Sequence, residues 1–131
     1  MAENVQGMSN GPPSDPPPVE WFIEGTVDRR KFDNYLLSPL HPTGQHKARL
    51  WRSVFGLEKG DGELLGRLIR EQLDQAEPVE MRRTRQARRW ELVIPHFRGP
   101  NANEGPVLTA WALESDKDRP HLTTAYPIVD S

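Results

Sequence analysis

The chain is 131 residues long, carries a formal net charge of −2 and is 35% hydrophobic. That length fits a single domain with one core. No stretch approaches the ~20 consecutive apolar residues that a membrane-spanning helix requires, and we expect no secretion signal at the N-terminus. The absence of cysteine excludes disulfides, thiolate metal sites and a cysteine nucleophile.

The small net charge conceals an uneven distribution along the chain. Residues 1–28 contain five acidic residues and no Lys or Arg, so the remaining 103 residues carry 17 basic against 14 acidic side chains. Most of this excess lies in two segments, residues 29–59 and residues 78–98. Two basic segments predict a polyanionic partner. The alternative is that these side chains are ordinary solvated surface.

Residues 1–20 are predicted to form a disordered leader. They combine Pro and Gly with Ser and Asn, and such a composition cannot bury enough apolar surface to offset the entropy of ordering. Trp21, Phe22 and Ile23 then form a short apolar patch that we expect to attach the end of the leader to the domain. The folded domain is predicted to span residues 21–131.

Apolar residues at helical spacing predict three helices, over residues 29–37, 44–55 and 62–75. Asp28, Thr43 and Asp61 stand where these helices begin, and their side chains can accept hydrogen bonds from the free N–H groups there. Gly56 is placed to end the second helix, because glycine readily adopts the left-handed conformation that closes helices.

Apolar and polar residues then alternate in four segments, residues 79–81, 90–94, 107–113 and 122–126, and this alternation predicts four strands. The connections between them are short, which favours an antiparallel meander. We therefore predict an α+β fold, with about three N-terminal helices packed on one face of a four-stranded antiparallel sheet. The other face would be covered by loops or left open, and an open face is where we expect a substrate to bind.

The first candidate cluster runs from His41 to Lys47, through Pro42, Thr43 and Gly44. Free N–H groups at the start of a helix attract phosphate. His41 could transfer a proton near neutral pH, and Lys47 could neutralise a phosphate oxygen. The alternative is that His41 packs against Tyr35 and that Lys47 is exposed to solvent.

The second candidate cluster lies at the end of the chain. Arg119 could bind a phosphate, and the hydroxyl groups of Thr124 and Tyr126 could position a ribose or the phosphate itself. Simple alternation places Thr124 and Tyr126 on the same face as Leu122. The alternative is that Tyr126 belongs to the core and that the threonines are there as good strand formers.

The third candidate is the arginine-rich run over residues 82–89, which includes Arg82, Arg83 and Arg85. These side chains could follow an RNA backbone, with Trp90 or Trp51 stacking on bases. Because alternation divides the arginines between two faces, some of them are expected to be plain surface charge. The sequence has no phosphate-binding glycine motif, no nucleophile elbow and no metal-ligand spacing, so we expect no metal and no cofactor.

The chain resembles a bacterial toxin-like domain family over about residues 31–128. The resemblance lies in a Tyr-Leu-Leu segment, a His-Pro-x-Gly…Lys-Ala segment, a Trp in the penultimate strand and a final Arg-Pro…Thr-Ala-Tyr-Pro, here at residues 35–37, 41–48, 111, and 119–127. The order of helices and strands also resembles the barnase–EndoU–colicin–RelE-like ribonuclease superfamily.

The resemblance implies an RNA-cleaving toxin in which a 2′-OH attacks the adjacent phosphate without metal. It assigns proton transfer to His41, the developing charge to Lys47, and substrate positioning to Thr124 and Tyr126. Arg119, the arginine-rich run and Trp111 would bind RNA. The implied partners are an RNA substrate and a neutralising antitoxin or immunity protein, and the site of action would be the cytoplasm, reached in some cases by delivery from another cell.

Two other functions stay open at this point. The domain could bind RNA or the ribosome without cutting it, which would make His41, Lys47 and Tyr126 dispensable. It could also be an antitoxin or immunity protein that acts by contact alone. The acidic leader favours that second alternative, whereas the basic body argues against a mimic of nucleic acid.

Overall fold

The computed structural model describes residues 11–129. It is an α+β fold in which four strands form one antiparallel sheet with the order β1-β2-β3-β4. The strands are β1 (Val79–Glu80), β2 (Ala87–Arg98), β3 (Glu104–Glu114) and β4 (His121–Pro127). The predicted four-stranded antiparallel sheet is therefore confirmed.

The helical segments differ from the prediction in number and length. Residues 11–129 form four α-helices, α1 (Val19–Ile23), α2 (Arg29–Lys31), α3 (Gln45–Phe55) and α4 (Gly62–Gln72). Only α3 and α4 are long, with 11 residues each. A π-helical turn, Phe32–Leu36, continues α2, and a 3₁₀ turn, Leu73–Gln75, continues α4.

Two of the predicted helix ends agree with the structure. The Oδ1 of Asp28 accepts a 3.0 Å hydrogen bond from the N–H of Arg30, as expected of a residue that caps α2. Gly56 ends α3 with a φ of 72°, in the left-handed region that only glycine enters without strain.

Of the other two predicted caps, Thr43 is wrong and Asp61 is right in position only. Gly44 rather than Thr43 stands at the start of α3, with no side-chain cap there. Asp61 does stand before α4, but its side chain makes no cap bond. Asp33 of the π-helical turn replaces it, because its Oδ1 accepts a 2.9 Å bond from the N–H of Gly62.

The core lies between one face of the sheet and the helices. That face carries fully or almost fully buried side chains of β2 and β3, among them Trp90, Leu92, Ile94, Val107 and Trp111. Trp21-Phe22-Ile23, the apolar patch, forms most of α1, and the Phe22 ring packs on the rings of Trp90 and Trp111. The patch therefore anchors the start of the domain, as expected.

Two strands are less regular than alternation predicted. Pro95 does not end β2, because a register shift between Ile94 and Phe97 accommodates it and lets pairing with β3 resume. A second register shift lies between Ala110 and Trp111 of β3, opposite the middle of β4.

Among residues 11–129, no helix covers the opposite face of the sheet, and this face is open to solvent. Val79 of β1 is 59% exposed and Val93 of β2 is 37% exposed. The pairing register puts Leu108 of β3 beside Val93, and Tyr126 of β4 beside Leu108, on this same face. Of the two alternatives for this face, covered by loops or left open, the structure has the second.

The predicted leader is described only in its second half, residues 11–20. Residues 11–18 form no helix or strand, and Pro17 is nevertheless buried. Residues 1–10, the first half of the leader predicted to be disordered, lie outside the described residues. Within residues 11–129, no helix is long and apolar enough to cross a bilayer, and no three His, Asp or Glu side chains are grouped as metal ligands would be.

Candidate active site

Lys47 lies at the centre of a small cluster between α3 and β4. Its Nζ donates a 2.9 Å hydrogen bond to the Oη of Tyr35. The same nitrogen lies 5.1 Å from the centre of the Tyr35 ring and 5.7 Å from that of the Tyr126 ring, within reach of cation–π attraction. Lys47 is half-buried, so its ammonium is not simply a solvated surface charge.

The ammonium alters the acidity of the Tyr35 phenol. The hydrogen bond from Lys47 is the largest cause that lowers the pKa of Tyr35 below its ordinary value. Burial of the phenol opposes this change, whereas the positive charges of Lys47 and Lys31 and a hydrogen bond from Thr43 act in the same direction as the main cause. The pKa of Tyr35 is lowered on balance, so its phenolate forms more readily than that of an ordinary tyrosine.

His41 packs on this pair, but its ring is already engaged by its own loop. The His41 and Tyr35 rings meet edge to face, with centres 4.8 Å apart and planes at 79°. The Nδ1 of His41 accepts hydrogen bonds of 3.1 Å from the N–H groups of both Thr43 and Gly44. A neutral imidazole that accepts hydrogen bonds at Nδ1 carries its proton on Nε2.

This geometry argues against His41 as the proton carrier. Taking up a proton at Nδ1 would break both backbone hydrogen bonds, and in the neutral ring Nε2 already holds its proton. Of the N–H groups at the start of the predicted second helix, that of Gly44 is therefore occupied and not free for a phosphate. His41 instead fixes the loop before α3, which corresponds to the alternative that it packs against Tyr35.

Gly44 allows that loop to lie directly against Tyr35. A Cβ atom at this position would collide with the carbonyl oxygen of Tyr35 and come within 2.9 Å of Cδ1 of its ring. A backbone carbonyl cannot move aside as a flexible side chain can, so only glycine fits. The His-Pro-x-Gly segment therefore has a structural explanation, since its histidine and glycine together hold the loop against Tyr35, whose phenol meets Lys47.

Thr124 and Tyr126 lie on the open face of the sheet. Both pair with half-buried residues of β3, whereas Leu122 pairs with the fully buried Trp111. The register shift between these pairs turns Leu122 into the core, so it does not share a face with Thr124 and Tyr126 as simple alternation predicted. The Oγ1 of Thr124 is buried without a hydrogen-bond partner in the part of the chain that the structure describes.

Trp51 joins α3 to β4 beside this cluster. It is fully buried, and its indole Nε1 donates a 3.1 Å hydrogen bond to the carbonyl oxygen of Ala125. Trp51 lies about one helical turn after Lys47, and Ala125 immediately precedes Tyr126. The bond therefore connects the helix that carries the cation to the strand that carries the second phenol.

Comparison with known proteins bears on the same part of the chain. A family model described as a domain of unknown function, DUF6883, matches residues 23–129. The chain belongs to the DUF6883 family. The match includes the whole Lys47 cluster and all four strands. No curated protein and no solved structure matches the chain. The family description states no activity, so the resemblance to ribonuclease toxins stays a hypothesis.

Arg119 lies at the other end of β4 in this DUF6883 domain. It precedes the strand, which begins at His121, and five residues at about 3.3 Å each place Tyr126 roughly 16 Å further along. The Nη1 of Arg119 donates a 3.2 Å hydrogen bond to the carbonyl oxygen of Glu24. The structure therefore does not bring Arg119 to Lys47 and Tyr126.

The arginine-rich run is also remote from the cluster. Arg82, Arg83 and Arg85 are exposed in the loop between β1 and β2, three strands away from β4. Arg83 is engaged by Glu80, whose carboxylate also accepts two hydrogen bonds of 2.8 and 2.9 Å from Arg88. Arg82 and Arg85 have no ion pair within residues 11–129.

The RNA-binding role predicted for Trp111 is corrected by its burial. Its side chain is 0% exposed, and its Nε1 donates a 2.8 Å hydrogen bond to the Oγ1 of the equally buried Thr109. A ring without an accessible face cannot stack on a base. The same holds for Trp51 and Trp90, which are 0% and 1% exposed.

Tyr35 is the member of the Lys47 cluster that the sequence motifs did not single out. From the sequence, Tyr35 was expected only to begin the Tyr-Leu-Leu segment of the resemblance and, in one alternative, to pack against His41. A signal was available, because Tyr35 and Tyr126 are the only two tyrosines of the chain and both fall in segments that carry the family resemblance.

Proposed function

We propose that the domain is a metal-independent endoribonuclease of the toxin type, with Lys47 and Tyr35 acting on the scissile phosphodiester. The observation that carries the proposal is the 2.9 Å contact between the Lys47 ammonium and the Tyr35 hydroxyl, with the Tyr126 ring on the same cation. No carboxylate pairs with Lys47 within residues 11–129, and a Tyr35 phenolate becomes neutral once it takes up a proton, so the charge of the ammonium is then available for a phosphate. Phosphodiester cleavage builds up negative charge, and a preorganised cation stabilises it.

In the reaction that we propose, Tyr35 as phenolate accepts the proton of a ribose 2′-OH. The 2′-oxygen forms a bond to phosphorus, the bond from phosphorus to the 5′-oxygen breaks, and that oxygen leaves with a proton taken from water. The ammonium of Lys47 neutralises the charge on the phosphoryl oxygens. The products are a 2′,3′-cyclic phosphate and a 5′-hydroxyl, and a DNA strand cannot react because it lacks the nucleophile.

The lowered pKa of Tyr35 supports this role, since a base acts best when its pKa lies closer to the working pH. Tyr126 would orient the ribose from the open face, whereas the Oγ1 of Thr124 is buried and does not reach a substrate on that face. His41 becomes a positioning residue, because it holds the loop against Tyr35 and does not reach the substrate through Nδ1.

A second candidate is a protein that acts by contact alone, as an antitoxin or immunity protein would. The open face favours it, because Val79 of β1, Met81 immediately after β1 and Val93 of β2 are between 37% and 59% exposed. Exposed apolar side chains on adjacent strands are typical of surfaces that meet another protein. The same surface also suits a ribonuclease toxin that is neutralised by a partner, so it does not weigh against the first candidate.

The test combines expression in a bacterium with cleavage of purified RNA in EDTA. We expect the wild type to arrest growth and to leave 2′,3′-cyclic phosphate ends, while Lys47→Met and Tyr35→Phe are tolerated. Lys117→Met, in the exposed turn between β3 and β4, is the matched control and should remain toxic. Harmless wild-type protein without cleavage would favour the contact function, and cleavage that EDTA abolishes would disprove the metal-free mechanism.

A further inference from the structure

Basic side chains surround the exposed side of α3. Each residue of a helix turns by about 100°. Around the exposed side of the helix, this rotation places four basic side chains next to one another, in the order Lys47, His46, Arg49 and Arg52. The opposite side of the helix is buried and consists of Ala48, Trp51 and Phe55. The basic residues therefore form a band around the solvent side of the helix, which we call the α3 band.

No ion pair within residues 11–129 offsets the charge of Lys47, Arg49 and Arg52 in the α3 band. Residues 34–57 contain no Asp or Glu. Among the ion pairs of residues 11–129, none involves Lys47, Arg49 or Arg52, although Arg67 and Arg98 elsewhere do pair with glutamates. Basic side chains close together without carboxylate partners repel one another, so a ligand that carries several negative charges is favoured there.

The band leads to a cavity on the far side of α3 from Lys47. The cavity has a volume of about 220 Å³. Its apolar lining includes the buried side chains of Leu37 and Ala48 and also Pro39, while Arg49, Arg52 and Lys59 bring three cations against the single carboxylate of Glu58. An apolar floor with guanidinium groups at its edge suits an unstacked base whose phosphates lie outside.

We infer that the α3 band and this cavity bind single-stranded RNA next to the scissile phosphate, with a base in the cavity and its flanking phosphates on Arg49 and Arg52. This inference rests on the proposed function for its choice of RNA. Lys47 and Arg52 are about 7.5 Å apart along the helix axis and nearly opposite around it, so a strand of a few nucleotides spans both sites. The Lys47 cluster then acts on the phosphate that the band holds in place.

Binding is measured by fluorescence anisotropy with a single-stranded RNA 8-mer in which every ribose is 2′-O-methylated, so that no 2′-OH can attack. We expect the double variant Arg49→Gln/Arg52→Gln to bind about tenfold more weakly. Its slope of log affinity against log salt should fall by about 1.4, since each phosphate contact in a single strand contributes about 0.7. Inorganic polyphosphate of equal charge should compete poorly, because it has no base for the cavity.

The matched control is Arg82→Gln/Arg85→Gln, which removes two exposed arginines from the loop between β1 and β2. We expect it to leave affinity and salt slope unchanged. The inference is overturned if the control variant loses binding and the α3 variant does not, or if the wild type does not bind the 8-mer. Equal competition by polyphosphate would overturn the base site.

Cleavage and binding separate the two proposals. An α3-dependent affinity for the methylated 8-mer in a protein that cleaves no RNA would reject the ribonuclease function and leave the RNA-binding surface standing. If the protein cleaves unmodified RNA and Arg49→Gln/Arg52→Gln leaves the KM of cleavage unchanged, the RNA-binding surface is rejected and the ribonuclease function stands.

Discussion

The hydrogen bond from Trp51 to β4 holds the two halves of the candidate site together, and its removal has a magnitude that follows from the structure. Trp51→Phe takes away the donor and leaves the buried carbonyl oxygen of Ala125 without a partner, which costs about 1–3 kcal/mol. Phenylalanine is also smaller by roughly 40 Å³, which adds ~1 kcal/mol at about 24 cal/mol per Å³ of cavity. We expect the free energy of unfolding to fall by about 2–4 kcal/mol in total.

Trp90→Phe is the matched control for this substitution. Trp90 is as deeply buried as Trp51, but its Nε1 has no hydrogen-bond partner within the described residues 11–129. The control therefore removes a similar side-chain volume without breaking a hydrogen bond. It also removes the indole N–H group of Trp90, a buried donor without an acceptor. We expect it to cost ~1 kcal/mol or less.

The assay is urea-induced unfolding at pH 7, followed by circular dichroism in the far ultraviolet because both substitutions change the fluorescence. The free energies are compared after the slopes against urea are found equal. A loss for Trp90→Phe that equals or exceeds the loss for Trp51→Phe would refute the reasoning that the indole hydrogen bond holds α3 on β4.

Three further predictions concern the site and its surroundings. Gly44→Ala should destabilise the protein in thermal unfolding, because its Cβ collides with the backbone of Tyr35. Gly105→Ala should have little effect, because its Cβ would meet nothing closer than 4.0 Å. Equal losses of stability in the two variants would contradict this prediction. Lys47→Met should raise the pKa of Tyr35 towards its ordinary value, which the ¹³Cζ signals of the two tyrosines report in NMR. An unchanged pKa of Tyr35 in this variant would contradict the hydrogen bond from Lys47 as the main cause. Glu80→Gln should cost about 1–2 kcal/mol at pH 7, since its arginine partners lose a carboxylate.

The cost of Glu80→Gln should depend on pH in one direction. The pKa of Glu80 is lowered, first by the hydrogen bond from Arg88, so the stabilisation is complete above the ordinary carboxyl pKa near 4.3. It disappears as the pH falls through the lower pKa of the folded state. Unfolding free energies of the two proteins should therefore converge in acid, and a difference that persists there would count against the ion pair.

The parts of the fold that sequence predicted are those in which burial repeats with a regular period. Leu92, Ile94 and Val107 alternate with exposed neighbours because one face of the sheet is covered and the other is not. The end of α3 was also predictable from the sequence, because the left-handed φ at the helix end favours glycine and Gly56 stands there. Such features are encoded within a few consecutive residues, so they can be recognised without the rest of the chain.

The irregular features depend on contacts that no local pattern contains. The register shift that separates Leu122 from Thr124 is fixed by pairing with β3, and the N–H of Gly62 is satisfied by Asp33 from a distant turn. The prediction for Trp111 failed for another reason. The alternation of Trp111 with Val107 along the strand predicts a buried position. The RNA-binding role came from the resemblance motif, which does not take that alternation into account.

The candidate site was predictable in part. The roles that the resemblance implies for Lys47 and Tyr126 require the two residues to lie close together, and Lys47 does contact the Tyr126 ring. The hydrogen bond between Lys47 and Tyr35 could not be predicted, because it depends on a π-helical turn that directs Tyr35 towards α3. The engagement of His41 Nδ1 by its own loop is equally invisible before the loop is folded.

The most direct test of the account is the single-turnover rate of RNA cleavage by Tyr35→Phe, measured in EDTA beside the wild type. This substitution keeps the aromatic ring that packs with His41 and Gly44, and it removes only the oxygen that Lys47 holds. We expect the rate to fall by about 10²–10⁴-fold, the usual contribution of a general base, while the unfolding free energy changes little. Cleavage by Tyr35→Phe at the wild-type rate would contradict the central claim.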